Sequence, residues 1–251
     1  YLWVSVENGK SVLIGGSTAS GKTTLLNVLS FFIKPNKKIV SIEDTPELKL
    51  PHPHWVPEVA RTAISENDGK KIGEVDMFDL LKESLRQRPD YIIVGEVRGK
   101  EAYVLFQQMA SGHPGMSTIH ADSISKLVDR LTTPPISLPG NLLQNLDILI
   151  FSDTTTFKNK NIRKIDTIME ITGYENGAPL GNTVFKWDPV KNYLRVTGKS
   201  AVLKKIAYSS NMPEKSMQEE ISNRVKVLEW MQDRGLSDFS SVARIFSMYN
   251  S

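Results

Sequence analysis

Gly16-Ser17-Thr18-Ala19-Ser20-Gly21-Lys22-Thr23 is the stretch on which the fold turns. Its spacing is G-x-x-x-x-G-K-[ST], and its flanks suit the pattern. The apolar run Val12-Leu13-Ile14 precedes it, and Leu25, Leu26 and Leu29 follow at helical spacing. A strand that runs through a glycine-rich loop into a helix gathers backbone N–H groups and the partial positive charge of a helix N-terminus at one point. Phosphate oxygens bind such a nest. The prediction is a P-loop (Walker A) site for Mg-ATP, with Gly16, Ser17, Thr18, Ala19, Ser20, Gly21, Lys22, Thr23 and Thr24 around the phosphates. Lys22 is expected to reach the β and γ phosphates, and the Thr23 hydroxyl to ligate Mg²⁺. The competing reading is a chance glycine-rich turn; a strand and a helix both in register argue against it.

Outward from the loop, short apolar runs at 39–42, 91–94 and 116–120 read as buried strands, and 76–87 and 101–109 as helices. Strands alternating with helices predict an α/β fold with a mostly parallel sheet. Residues 46–73, with four prolines and two histidines, have no clear period. Residues 148–151 read as the last core strand, and 165–174 and 183–196 as antiparallel strands around a turn at 188–192. Met217, Ile221, Val225, Leu228 and Met231 mark an amphipathic helix from Glu214, with a second short helix near 242–249. The expected organisation is a P-loop core over 1–160, an antiparallel β extension over 161–200 and a helical subdomain over 201–251. Leu2, Trp3 and Val6 at helical spacing put the first residues inside a helix, so the chain is expected to be a fragment whose N-terminal domain is missing.

Composition limits the alternatives. The chain of 251 residues has no cysteine, which rules out disulfides and thiolate zinc sites. A net charge of +3, spread along the chain, is too weak a basis for nucleic-acid binding. No apolar run reaches the roughly 20 residues that a spanning helix needs. The expected location is cytoplasmic, with no direct membrane insertion.

Three further groups lie at strand ends, where ligands bind in open α/β sheets. Ile92-Ile93-Val94-Gly95-Glu96 resembles a Walker B strand, but glycine fills the usual aspartate slot and the acid comes one residue later. Glu96 either serves Mg²⁺, through water, or activates the attacking water. Glu43, after the strand at 39–42, is a general-base candidate or a solvated turn acid. His120, at the end of 116–120, is a γ-phosphate sensor or a buried, hydrogen-bonded histidine. His52 and His54 lack further ligands for a metal site.

Together, and in this order, these segments resemble the secretion ATPase superfamily of type II and type IV machines. Residues 40–45 look like its Asp box, 94–98 like its atypical Walker B and 112–120 like its His box. Residues 85–91 and 133–136 are similar to the archaeal branch, which includes archaellum motor and pilus or secretion ATPases. The resemblance implies a RecA-like domain, hexameric rings and ATP-driven work on an integral-membrane platform protein. It implies Glu43 as general base, Glu96 as positioner of water and Mg²⁺, and His120 as γ-phosphate monitor. Arg98 and Arg61 are the arginines favoured to complete a site; Arg130 and Arg163 read as surface ion-pair formers. Two departures stand out: there is no four-cysteine zinc module, and the arginine-supplying N-terminal domain is expected to be missing from this fragment. Other functions in view are a conjugation-type ATPase moving DNA or effectors, and an ATP-gated assembly scaffold with little hydrolysis.

Overall fold

The computed structural model describes residues 1–61, 65–67, 70–175 and 177–250. Helix α1 (Leu2–Glu7) leads into β1 (Val12–Gly16), the loop, and α2 (Lys22–Ser30). β1 is buried along its whole length because it lies between two parallel neighbours and both its faces are covered by helices. β2 (Ile39–Glu43) and β3 (Trp55–Val59) follow, then the short pair β4 (Ser65–Asn67) and β5 (Lys70–Ile72). β3 lies within the stretch read as irregular. It carries Pro57 and forms the sheet edge, where a missing N–H costs no ladder bond.

α3 (Met77–Ser84) starts at Asp76, whose carboxylate accepts the Asp79 N–H at 2.8 Å. A cap of this kind contributes about 1 kcal/mol. A 3₁₀ turn, Leu85–Gln87, completes the helix expected over 76–87. β6 (Tyr91–Val94), α4 (Glu101–Ala110) and β7 (Gly115–Ile119) come next, and then α5 (Ile124–Thr132), which the sequence reading did not anticipate. β8 (Ile148–Phe157) runs well past the four core residues expected and turns into β9 (Lys160–Glu175), β10 (Ala178–Asp188) and β11 (Tyr193–Val196). Helices α6 (Ala201–Ser209), α7 (Glu214–Asp233) and α8 (Phe239–Tyr249) end the chain.

All strands but β4 and β5 form one sheet in the order β11-β10-β9-β8-β1-β7-β6-β2-β3. It is parallel from β8 to β3 and antiparallel from β8 to β11. Alternate residues feed two cores. Val12, Ile14, Ile39, Ile93 and Ile150 pack under α1, α2 and the C-terminal helices. Leu13, Val40, Ile92, Val94 and Leu149 pack under α3, α4 and α5. Leu26 and Leu29 fix α2 on the first core; truncating either to alanine would cost about 2–5 kcal/mol.

The buried stripe of α7 differs in phase from the expected one. Val225 and Leu228 are exposed, whereas Arg224 is buried. The Arg224 guanidinium pairs with Glu7 and Glu220 and lies over the rings of Trp3 and Tyr249. An arginine thus holds a place that a purely apolar period assigns to a hydrophobe. It is affordable because both carboxylates and both rings meet it.

Candidate active site

The loop at 16–23 crests the sheet between β1 and α2. A side-chain carbon on Gly16 would lie 2.4 Å from the Ser152 carbonyl oxygen, so only glycine fits. Gly21 enters α2 in the left-handed region, φ 90°, which likewise favours glycine. The Ser20 and Ser152 hydroxyls are 2.8 Å apart, and Ser152 also donates to the Gly15 carbonyl at 3.2 Å. These contacts tie the loop to β8. Ser17, Thr18 and Ala19 form the exposed crest, and Thr24 is exposed on the first turn of α2. Lys22 is buried and its ammonium donates to the carbonyls of Gly16 at 3.1 Å and Ser17 at 2.8 Å. Burial pulls its pKa down, and the Glu96 charge opposes that.

Glu43 ends β2 and is 3% exposed. Its Oε1 accepts the N–H groups of Glu47 at 2.9 Å and Leu48 at 3.1 Å. Burial pushes its carboxyl above the usual carboxylate range, against the pull of those two donors. Gly95 fills the slot where a Walker B aspartate is usual, and the packing gives the reason. A carbon there would lie 3.1 Å from Glu43 Cγ. The Gly95 N–H donates to Ile42 O at 2.9 Å, and its carbonyl accepts from the Thr118 hydroxyl at 2.8 Å. Val97 N–H closes the set on Thr118 O at 2.9 Å.

Glu96 follows at the tip of β6. Its Oε2 accepts from Arg98 at 2.7 Å, and its Oε1 lies 3.5 Å from His120 Nε2. That Oε1 is buried and lacks a hydrogen-bond partner among the described residues. Arg98 also lies 3.8 Å from Asp44, and its backbone N–H is held by the buried Glu101 carboxylate at 2.6 Å. Burial depresses the His120 pKa; Glu96 resists this, while Lys22, Arg130 and Arg98 add to it.

Thr23, Glu43, Asp44, Gly95, Glu96 and Arg98 line one cleft of about 120 Å³ beside the loop. The structure thus brings together the Walker A threonine, both acids and Arg98, with His120 reached through Glu96. Arg61 does not line this cleft: its Nε donates to the Gly73 carbonyl at 2.8 Å, and its backbone bridges Val75. His52 is buried with Nε2 at 2.9 Å from Ile33 O, and no metal-binding group of three side chains occurs among the described residues. Sequence reasoning missed two neighbours of the site. Thr118 lies within the strand expected over 116–120, with no role assigned to it, and its hydroxyl holds the Gly95 carbonyl. Arg163, read as a surface ion-pair former, places its Cδ 3.4 Å from where a Gly21 Cβ would be. No local pattern marks Arg163; only the pairing of β9 with β8 brings it to the loop.

A mostly parallel sheet, a P-loop at the tip of a central strand and acids at the tips of its neighbours define a RecA-like P-loop core. The type II/IV secretion system protein family model matches residues 4–169. The chain belongs to that family. An uncharacterized protein of Methanocaldococcus jannaschii is 42% identical over 98% of this chain, which spans 45% of that relative. A second protein of the same archaeon is 40% identical over 91% of the chain, which spans 84% of it. The type IV secretion system protein VirB11 of Bartonella quintana is 38% identical over 53% of the chain, corresponding to 36% of VirB11. Among solved structures, the VirB11 ATPase of the Brucella suis type IV secretion system superposes with a TM-score of 0.56 at 28% identity, covering 67% of this chain and 50% of that one. No helix among the described residues is long and apolar enough to cross a membrane.

Proposed function

We propose that this chain binds ATP with Mg²⁺ at the loop of residues 16–23 and hydrolyses it. The carrying observation is the shared cleft of Thr23, Glu43 and Glu96 beside the buried Lys22. Lys22 and the loop N–H groups hold the β and γ phosphates. Glu96 Oε1, which makes no hydrogen bond among the described residues, and the Thr23 hydroxyl are oxygen ligands suited to a hard cation, which when bound would neutralise charge on the phosphate oxygens. Glu43 is the general base. With Oε1 held by two N–H groups, Oε2 takes a proton from the attacking water as the new P–O bond forms and the β–γ bridge opens. Its raised pKa makes it a stronger base than an ordinary carboxylate. His120, through Glu96, follows the γ-phosphate, and Arg98 holds Glu96 in place.

The work done is assembly or motion of a membrane-anchored machine at its cytoplasmic face: an archaellum, a type IV pilus or a secretion system. Family membership and the relatives named as type IV secretion proteins support this reading. It carries with it a homo-oligomer, hexameric in the full protein, and a membrane platform protein as partner. Glu43→Gln tests the chemistry. The variant should bind ATP as tightly as the parent and turn over at least about a hundredfold more slowly. Unchanged turnover removes Glu43 from the role of base.

A further inference from the structure

Residues 44–54 carry the chain from β2 to β3 with no helix or strand of their own. Their backbone groups therefore have no ladder to join and must be met elsewhere. Leu48 and Leu50 are buried in the first core, while Glu47 and Lys49 are exposed. The N–H groups of Glu47 and Leu48 are committed to Glu43. Two of the groups that remain meet a single side chain on α2. Asn27 Nδ2 donates to the Glu47 carbonyl at 3.2 Å, and Asn27 Oδ1 accepts the Lys49 N–H at 2.9 Å. The carboxamide thus brackets Leu48 and grips the short segment whose N–H groups hold the Glu43 carboxylate.

The chemistry of the grip is specific. It needs one donor and one acceptor side by side on a short arm, which a primary amide supplies and a carboxylate or an alkyl group does not. The place of Asn27 on the helix matters as well. Thr23 and Asn27 are four residues apart, so they lie on one face of α2, one above the other. Thr23 lines the cleft together with Glu43 and Glu47, whereas Asn27 is outside it. We propose that Asn27 is a positioning residue for hydrolysis: by fixing residues 47–49 it sets the aim of Glu43 relative to Thr23 on the same helix face. This rests on the reading of Glu43 as general base. With the grip removed, the segment keeps only Leu48 and Leu50 as anchors. The two N–H groups loosen, the carboxylate is free to turn, and Oε2 loses its line to the attacking water. A misplacement of about 1 Å is enough to slow a reaction of this kind by about a hundredfold.

Steady-state turnover of the whole chain, with kcat and KM separated, tests the assignment. Asn27→Leu has nearly the shape of the carboxamide without its polar atoms. It should lower kcat at least about tenfold and leave KM for ATP within about twofold. Asn27→Asp keeps an acceptor for Lys49 but sets a carboxylate against the Glu47 carbonyl, and its kcat should fall between the two; it serves as the test should the leucine variant not fold. Adding Asn27→Leu to Glu43→Gln should slow turnover no further, since a residue that acts through Glu43 then has nothing left to position. The titration of Glu43 is a second readout, independent of turnover. NMR of ¹³C-labelled glutamate carboxyls follows it, the Glu43 signal being the one lost in Glu43→Gln. Burial and the Glu47 charge hold its midpoint up, and the two N–H groups pull it down. Asp44, Glu96 and Arg98, the other charged groups of the cleft, are the same in both proteins. Asn27→Leu should therefore move the midpoint further up. An unmoved midpoint, a loss confined to KM, or a loss that adds in full to that of Glu43→Gln would overturn the inference. Parental turnover in Asn27→Leu beside slow turnover in Glu43→Gln would sink this inference alone, whereas full turnover in Glu43→Gln would remove the base reading beneath it.

Discussion

Gly95 lies against Glu43: a side-chain carbon on Gly95 would sit 3.1 Å from Glu43 Cγ. Glu43 has little room to yield, because the N–H groups of Glu47 and Leu48 hold its carboxylate. Gly95→Ala should therefore displace the acid, slow ATP turnover at least about tenfold and cost about 1–3 kcal/mol of stability, the usual penalty for overpacking. Gly95→Asp, which restores the common Walker B residue, should be worse, because it adds a second carboxylate beside a buried one. Steady-state turnover and urea unfolding measure both effects. A Gly95→Asp protein with full activity would mean that Glu43 does not occupy the position described.

The imidazole of His120 should titrate below its usual value of about 6.5, because burial outweighs the attraction of Glu96. Glu96→Gln removes the one group that raises it, so the midpoint should move further down. The sign for stability follows. With the folded pKa depressed, the unfolded chain takes up the proton first as pH falls, so the contribution of His120 is present above about pH 6.5 and lost below it. At 32% side-chain exposure this contribution is small. NMR titration of the ring reads the midpoint directly; an upward move in Glu96→Gln would contradict the assigned contact.

Lys22→Ala should weaken ATP and tripolyphosphate alike, by about ten- to a hundredfold, since one charge-assisted hydrogen bond contributes about 1.5–3 kcal/mol. Equilibrium binding of both ligands is the check, and undiminished affinity would detach Lys22 from the phosphates.

Arg224→Ala should destabilise the chain by about 3–5 kcal/mol, because Glu7 and Glu220 lose their shared cation at a largely buried position. Arg224→Met keeps the bulk and should recover little, since the two carboxylates still lose the guanidinium between them and Glu7 keeps only Lys34 at 3.7 Å and Glu220 the Tyr249 hydroxyl at 3.2 Å. Denaturant midpoints decide; a loss below about 1 kcal/mol would mark the cluster as ordinary surface pairing.

The loop, the parallel strands and the acids at their tips were legible because each is written locally. A buried strand is a short apolar run; Gly16, Glu43 and Glu96 come within two residues of such runs, and Lys22 closes the loop that follows the first. Features set by tertiary contact were not legible. Trp55–Val59 is a strand because its edge position tolerates Pro57. Arg224 broke the period of its helix because two of its partners, Glu7 and Trp3, lie in α1, more than two hundred residues away. Arg163 reaches the loop only through a hairpin whose register no short window of sequence reveals. The missing Walker B aspartate is an anomaly in the sequence alone; in the fold, Glu43 Cγ closes off the space that a side chain on Gly95 would need.

The peptide unit of Gly95 is gripped from both sides, its N–H by Ile42 and its carbonyl by Thr118. With Val97 returning to Thr118, the ends of β2, β6 and β7 are laced into a single crossbar. A push delivered to any one of them is felt by the acid, the arginine and the histidine at once. For the chemistry proposed at the cleft, this lacing means that a shift of one strand tip would be shared by the tips of β2, β6 and β7 rather than borne by one side chain.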